Sequence, residues 1–128
     1  MKRYIELVEK LNWNNSLEIQ QNAIKELSQK KDWDYRGVII NSDKGCWENL
    51  FKVFEIVKAD DSLLLNDYIF LLKDLNWPGA IIALTKLKSL QKGVINDVLF
   101  SFIEKATNEK DEDWKENLFL VANYFKER

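Results

Sequence analysis

Apolar side chains recur every three or four positions along most of this chain, and the breaks in that period divide it into about seven helices. The first is read from Arg3 to Leu11, with Tyr4, Leu7, Val8 and Leu11 on one stripe. A second, capped by Asn14 or Asn15, runs to Gln29 and turns Ile19, Ala23, Ile24 and Leu27 inward. The period is lost over residues 32–45, which read as an ordered loop with one turn of helix. Ser42, Asp43 and Gly45 then introduce a third helix, Cys46 to Lys58, burying Trp47, Leu50, Phe51, Phe54 and Val57. Asp60 or Asp61 caps a fourth helix, which ends at Leu75. Pro78 lacks an N–H and its ring clashes with a preceding turn, so it is expected to start the fifth helix. Gly93 is placed just past the end of the fifth helix. A sixth, Val94 to Thr107, carries Ile95, Val98, Leu99, Phe102 and Ala106 inward. Asp111 or Asp113 caps a seventh, with Trp114, Leu118, Val121, Ala122 and Phe125.

Two short identities recur in the same order. Leu11-Asn12-Trp13 returns as Leu75-Asn76-Trp77, 64 residues on, and Glu48-Asn49-Leu50-Phe51 returns as Glu116-Asn117-Leu118-Phe119, 68 residues on. Each half then reads as a helix ending in Leu-Asn-Trp, a second helix, a variable segment and a helix bearing Asn-Leu-Phe. Trp13 and Trp77 are expected at equivalent corners, and Asn49 and Asn117 are expected to bond loop backbone between helices. Stacked helical pairs of this kind form a curved solenoid. The expected fold is all-α, a short HEAT-like or armadillo-like helical repeat in one domain, residues 1–128, with repeat halves at about 1–58 and 62–125.

The run Leu71-Leu72-Lys73-Asp74-Leu75-Asn76-Trp77-Pro78-Gly79-Ala80, followed by Asp113-Trp114 and Asn117-Leu118, resembles a bacterial family of domains of unknown function with HEAT-like helical repeats. In that family a helix ends in Leu-x-Asp-Leu/Met-Asn-Trp-Pro, and a final helix opens with Asp-x-x-Trp. The likeness covers residues 62–125 and reaches the first half only through the eroded repeat. It implies the fold, a bacterial origin and an association with immunity to secreted toxins; it brings no catalytic residues.

Composition narrows the chemistry. A chain of 128 residues with 46% hydrophobic and 31% charged residues suits one folded domain, and 4 Gly with 1 Pro supply too little turn chemistry for many short strands. Basic and acidic side chains are balanced in both halves, 10 against 11 in residues 1–64 and 9 against 10 in residues 65–128. Nucleic-acid binding draws on a basic surplus that is missing here. Lys86, Lys88 and Lys92 read as a solvated helix face. No window approaches the roughly 18 apolar residues of a membrane span, and the first residues lack the apolar core of a signal peptide. One cysteine, Cys46, cannot form an internal disulfide, so a cytoplasmic location is expected.

The chain has no histidine, which removes Ser-His-Asp and Cys-His catalysis and the usual zinc ligand sets. There is no Gly-rich phosphate loop. A helix N-terminus could lower the thiolate pKa of Cys46, but without a base partner a structural cysteine is the simpler account. No catalytic residue, metal ligand or cofactor is assigned. The candidates for partner binding are Trp33, Asp34, Tyr35 and Arg36, since Trp, Tyr and Arg are enriched at binding hot spots and no helical stripe demands them here. Against this, the same segment reads as a lid folded over the core. Asp111, Glu112 and Asp113 are a second candidate patch, for a basic partner, against the plainer role of acids at a helix start. The expected function is a non-enzymatic protein-binding module, an immunity protein acting on a toxin domain. The alternative is a HEAT-like nucleic-acid-binding or base-excision protein with a concave basic surface.

Overall fold

The computed structural model describes residues 2–30 and 33–126; Asp32, the first residue of the predicted loop, lies outside them. Among the described residues there are seven α-helices, two short 3-10 turns and no strand, so the fold class is all-α as the periodicity predicts. The chain forms two compact units, Met1–Asp60 and Asp61–Arg128. The first holds α1 (Lys2–Glu9), α2 (Leu17–Gln29) and α3 (Trp47–Val57), with α2 packed on both others. The second holds α4 (Leu65–Leu71), α5 (Ala80–Ser89), α6 (Lys92–Asn108) and α7 (Glu112–Lys126). In it α7 packs on α5 and α6, and α4 packs on the same two.

Each helix buries one stripe. Leu7, Val8 and Leu11 face inward at the start of the first unit, and Ala23, Leu27 and Leu50 complete its centre. In the second unit Ile69, Leu72, Leu87, Ile95, Leu118 and Val121 are fully buried, and Trp114 and Tyr68 fill the largest volumes. Ile19, expected inward, lies in the first turn of α2 and remains exposed.

Several boundaries move for identifiable reasons. The cap of α2 is Ser16, whose hydroxyl accepts the Ile19 N–H at 3.2 Å, because Asn14 and Asn15 are otherwise engaged. The Asn14 N–H donates to Asn12 Oδ1 at 3.0 Å, and Asn15 Nδ2 donates to the Glu9 carbonyl at 3.1 Å. The fourth helix stops at Leu71 instead of Leu75. Leu72 and Lys73 tighten into 3-10-type bonds to Ile69 and Phe70, and Asp74 Oδ1 then takes the Asn76 N–H at 2.9 Å. Pro78 sits in the turn before α5 and does not open it. Gly79 adopts φ 83°, a left-handed conformation that ends the turn, and the helix begins at Ala80. Gly93 is the second residue of α6 and not a terminator, since α5 ends on an extended Leu90.

The first helix of each unit ends in carbonyls with no partner in their own helix, and an asparagine from a later helix takes one of them. Asn49 on α3 is buried, and its Nδ2 donates to the Leu11 carbonyl at 2.6 Å and to Gln20 Oε1 at 2.9 Å. Gln20 Nε2 in turn donates to the Asn15 carbonyl at 2.8 Å. Asn117 on α7 repeats the arrangement, donating to the Leu72 carbonyl at 2.8 Å. The Asn-Leu part of the identity therefore marks equivalent places, with Leu50 and Leu118 both fully buried beside the two amides, whereas Phe51 is buried and Phe119 exposed.

Leu-Asn-Trp does not mark equivalent places. The clamped carbonyls are those of Leu11 and Leu72, so Leu75 lies three residues beyond the position that matches Leu11. Trp13, expected in the core or at a corner, is 50% exposed. Trp77 instead lies against Phe70, ring centroids 5.5 Å apart.

Replacing Asn49 by Ala strands the buried Leu11 carbonyl and is expected to cost about 1–3 kcal/mol in urea unfolding, with Asn117→Ala at the lower end of that range. Gly93→Ala should act in the opposite direction. A Cβ at this helical position meets nothing within 4 Å, so the variant should gain roughly 0.5 kcal/mol by restricting the unfolded chain.

Candidate functional site

The segment after α2 is held by aromatic rings. Trp33 stacks on Tyr4 of α1 with centroids 5.7 Å apart and meets Tyr35 edge-on at 5.7 Å. Tyr35 continues to Phe54 of α3 at 5.7 Å, and Phe54 to Phe51 at 5.9 Å. This ladder ties the loop to both α1 and α3 and leaves Trp33 only 5% exposed. Further along, Trp47 Nε1 donates to the Ile39 carbonyl at 3.0 Å, which fixes the middle of the loop to the start of α3. Asp43 closes it, its carboxylate accepting the Gly45 N–H at 3.0 Å. Gly45 also touches the end of α1: its carbonyl accepts the Trp13 N–H at 3.1 Å, and a Cβ there would stand 2.6 Å from Asn12 Oδ1. Only glycine permits that approach while Asn12 keeps its bond to Asn14.

Between α1 and this loop lies a cavity of about 640 Å³ in the first unit. Val8 and Cys46 line it, both buried, and Tyr4, Trp33 and Ile5 add apolar wall. Among the described residues its charged lining is Glu9, Asp34 and Asp43 with the cation Arg36. Arg36 is committed to Asp34: Nε donates to Oδ1 at 3.0 Å and Nη2 to Oδ2 at 2.8 Å. That fork holds the Asp34 carboxyl down at about 2 and raises the guanidinium further above its ordinary value.

The predicted site residues divide accordingly. Trp33, Asp34 and Arg36 do come together, around the cavity. Trp33, read both as a contact residue and as part of a lid folded over the core, is buried as the lid reading has it, and Tyr35 is half-buried against Phe54. Asp34 and Arg36 are exposed. Asp111, Glu112 and Asp113 belong to the second unit. Asp111 Oδ1 accepts the Trp114 N–H at 3.1 Å, the plain capping role, while Glu112 and Asp113 are exposed in the first turn of α7. Among the described residues no group of three Cys, Asp or Glu side chains is placed to hold a metal ion.

Glu9, Asn12, Asp43 and Cys46 are cavity residues that sequence reasoning did not single out for binding. Tyr4 and Val8, four apart on the stripe of α1, were the available signal for one wall; nothing local reported that the loop would fold back over them. Cys46 is buried, in keeping with the structural role expected of it over an activated thiolate. Burial, reinforced by the nearby Asp43 and Glu9 carboxylates, pushes its thiol up from 9.0 to about 11, so it is a poor nucleophile despite its place before α3.

Two outcomes follow. Trp33→Ala should lower stability by about 3–5 kcal/mol in thermal or urea unfolding, the cost of a buried aromatic, where a surface contact residue would change little. For Cys46 the folded protein favours the protonated thiol, so its contribution to stability is complete below pH 9 and is lost as pH rises from 9.0 to about 11. Cys46→Ala should flatten that part of the alkaline stability curve.

Among the described residues no helix is long and apolar enough to cross a membrane. Comparison with protein-family models, curated proteins and solved structures finds no match to this chain.

Proposed function

We propose that this chain is a non-enzymatic, cytoplasmic protein-binding module, and that the face of the first unit carrying the cavity is its docking surface. The observation that supports this is the pairing of a firmly held loop with an exposed rim. The aromatic ladder fixes the start of the loop, at Trp33 and Tyr35, to Tyr4 of α1 and Phe54 of α3. Around the cavity, Ile5 is 53% exposed and Asp34, Arg36 and Asp43 are open to solvent. A preorganised surface of this kind binds without the entropy cost of ordering a loop. Among the described lining residues, three carboxylates against one guanidinium favour a basic partner and oppose a phosphate backbone.

The resemblance of residues 62–125 to small HEAT-like bacterial proteins is the reason for choosing an immunity protein, with a toxin domain as its partner. Occlusion of the toxin's surface would be the means, with no reaction performed by this chain.

The test is co-purification and titration calorimetry with a toxin domain encoded beside the gene. Ile5→Asp and Asp34→Lys, both at exposed positions, should each weaken the complex by about tenfold or more, near 1.4 kcal/mol, with unchanged helicity. A complex indifferent to both changes would move the docking surface elsewhere. Salt-sensitive binding to duplex DNA in place of a protein complex would replace the proposal altogether.

A further inference from the structure

The cavity has a chemistry of its own that the docking role does not require. Its volume of about 640 Å³ falls in the range of pockets that enclose small organic ligands. Among its described lining residues the cation is Arg36, already satisfied by Asp34 through two bonds of 3.0 and 2.8 Å. Glu9 and Asp43 remain, and among the described residues neither is in an ion pair. Both line the cavity together with the buried Cys46, whose thiol their charge helps to raise. The surface between them is apolar and aromatic, with Val8, Ile5, Tyr4 and Trp33.

Carboxylates set around an apolar and aromatic wall repel anions and give a neutral alcohol nothing to neutralise. They suit a cation on a hydrocarbon stem, which the rings also attract through their negative faces. We propose that the cavity is a binding site for an alkylammonium or alkylguanidinium group, its head between Glu9 and Asp43 and its methylene stem along Tyr4, Ile5 and Val8. A free amine supplies that group, and so does a lysine or arginine side chain.

The test uses the full 128-residue chain and follows the Trp33 indole N–H resonance during titration. The probes are 1,5-diaminopentane, representing a free amine, and Nα-acetyl-lysine methylamide, representing a side chain; 1,5-pentanediol and glutarate serve as neutral and anionic controls. Saturable shifts with the cations alone, weakened by added salt, are expected. Tighter binding of the diamine identifies a free amine as the ligand, and tighter binding of the capped lysine identifies a side chain; either outcome supports the site.

Glu9→Gln with Asp43→Asn should weaken both cations by about tenfold or more. Asn retains an acceptor for the Gly45 N–H, and the single Glu9→Gln variant, at an exposed position, carries the test if the double variant unfolds. Arg36→Ala should tighten binding severalfold, because it releases the Asp34 carboxylate. The proposal is overturned if the diol shifts Trp33 as the diamine does, if the Glu9 and Asp43 variants bind unchanged, or if no cation shifts Trp33. Failure to find a protein partner would leave this titration unaffected, and failure of the titration would leave the docking surface to be tested separately.

Discussion

A helix cannot satisfy its own last carbonyls, and a short helix that stops beneath other elements leaves them where water cannot easily reach. Both units of this chain meet that constraint in the same way. An asparagine on a later helix, Asn49 or Asn117, donates its side-chain amide to a carbonyl at the end of the first helix, Leu11 or Leu72. The bond joins elements 38 and 45 residues apart in sequence. In the first unit the same amide also reaches Gln20 of α2, so one buried group on α3 engages α2 and the turn that ends α1. A leucine at the next position, Leu50 or Leu118, buries fully beside each amide, which couples the polar contact to the core.

That constraint separates what the sequence discloses from what it hides. Helix number and class are legible because apolar periodicity is a local property, and α2, α3, α6 and α7 fall within a few residues of their expected limits. The Asn-Leu part of the Asn-Leu-Phe identity is also legible, since it carries the clamp. Leu-Asn-Trp is misleading because identity in three residues cannot report which carbonyl is clamped, and Trp13 and Trp77 accordingly have different surroundings. The ends of α4 and α5 depend on a 3-10 tightening at Leu72 and on the left-handed Gly79, choices among turn geometries that composition alone does not make.

The site shows the same division. Trp33, Asp34 and Arg36 stand out in sequence because they break a helical pattern, and they do line one cavity. Their roles depend on partners far along the chain. Trp33 becomes a lid because Tyr4 offers it a ring, and Asp43 and Glu9 face one cavity because Gly45 lets the loop close on Asn12. The ladder that hides Trp33 is also what holds the exposed rim of Ile5, Asp34 and Arg36 still, so stability and presentation arise from the same contacts. In the second unit Trp114 is spent on structure: its Nε1 donates to the Ile69 carbonyl at 3.0 Å and its ring lies under Lys73 Nζ at 4.6 Å.

The amide clamps are accessible to direct observation through hydrogen exchange of side-chain amide protons. The account predicts that the Nδ2 protons of Asn49, and the bonded one of Asn117, exchange at least about tenfold more slowly than those of the exposed Asn22 and Asn66. Exchange of Asn49 and Asn117 at the rate of those exposed residues would contradict it, because the carbonyls of Leu11 and Leu72 would then be held by something else.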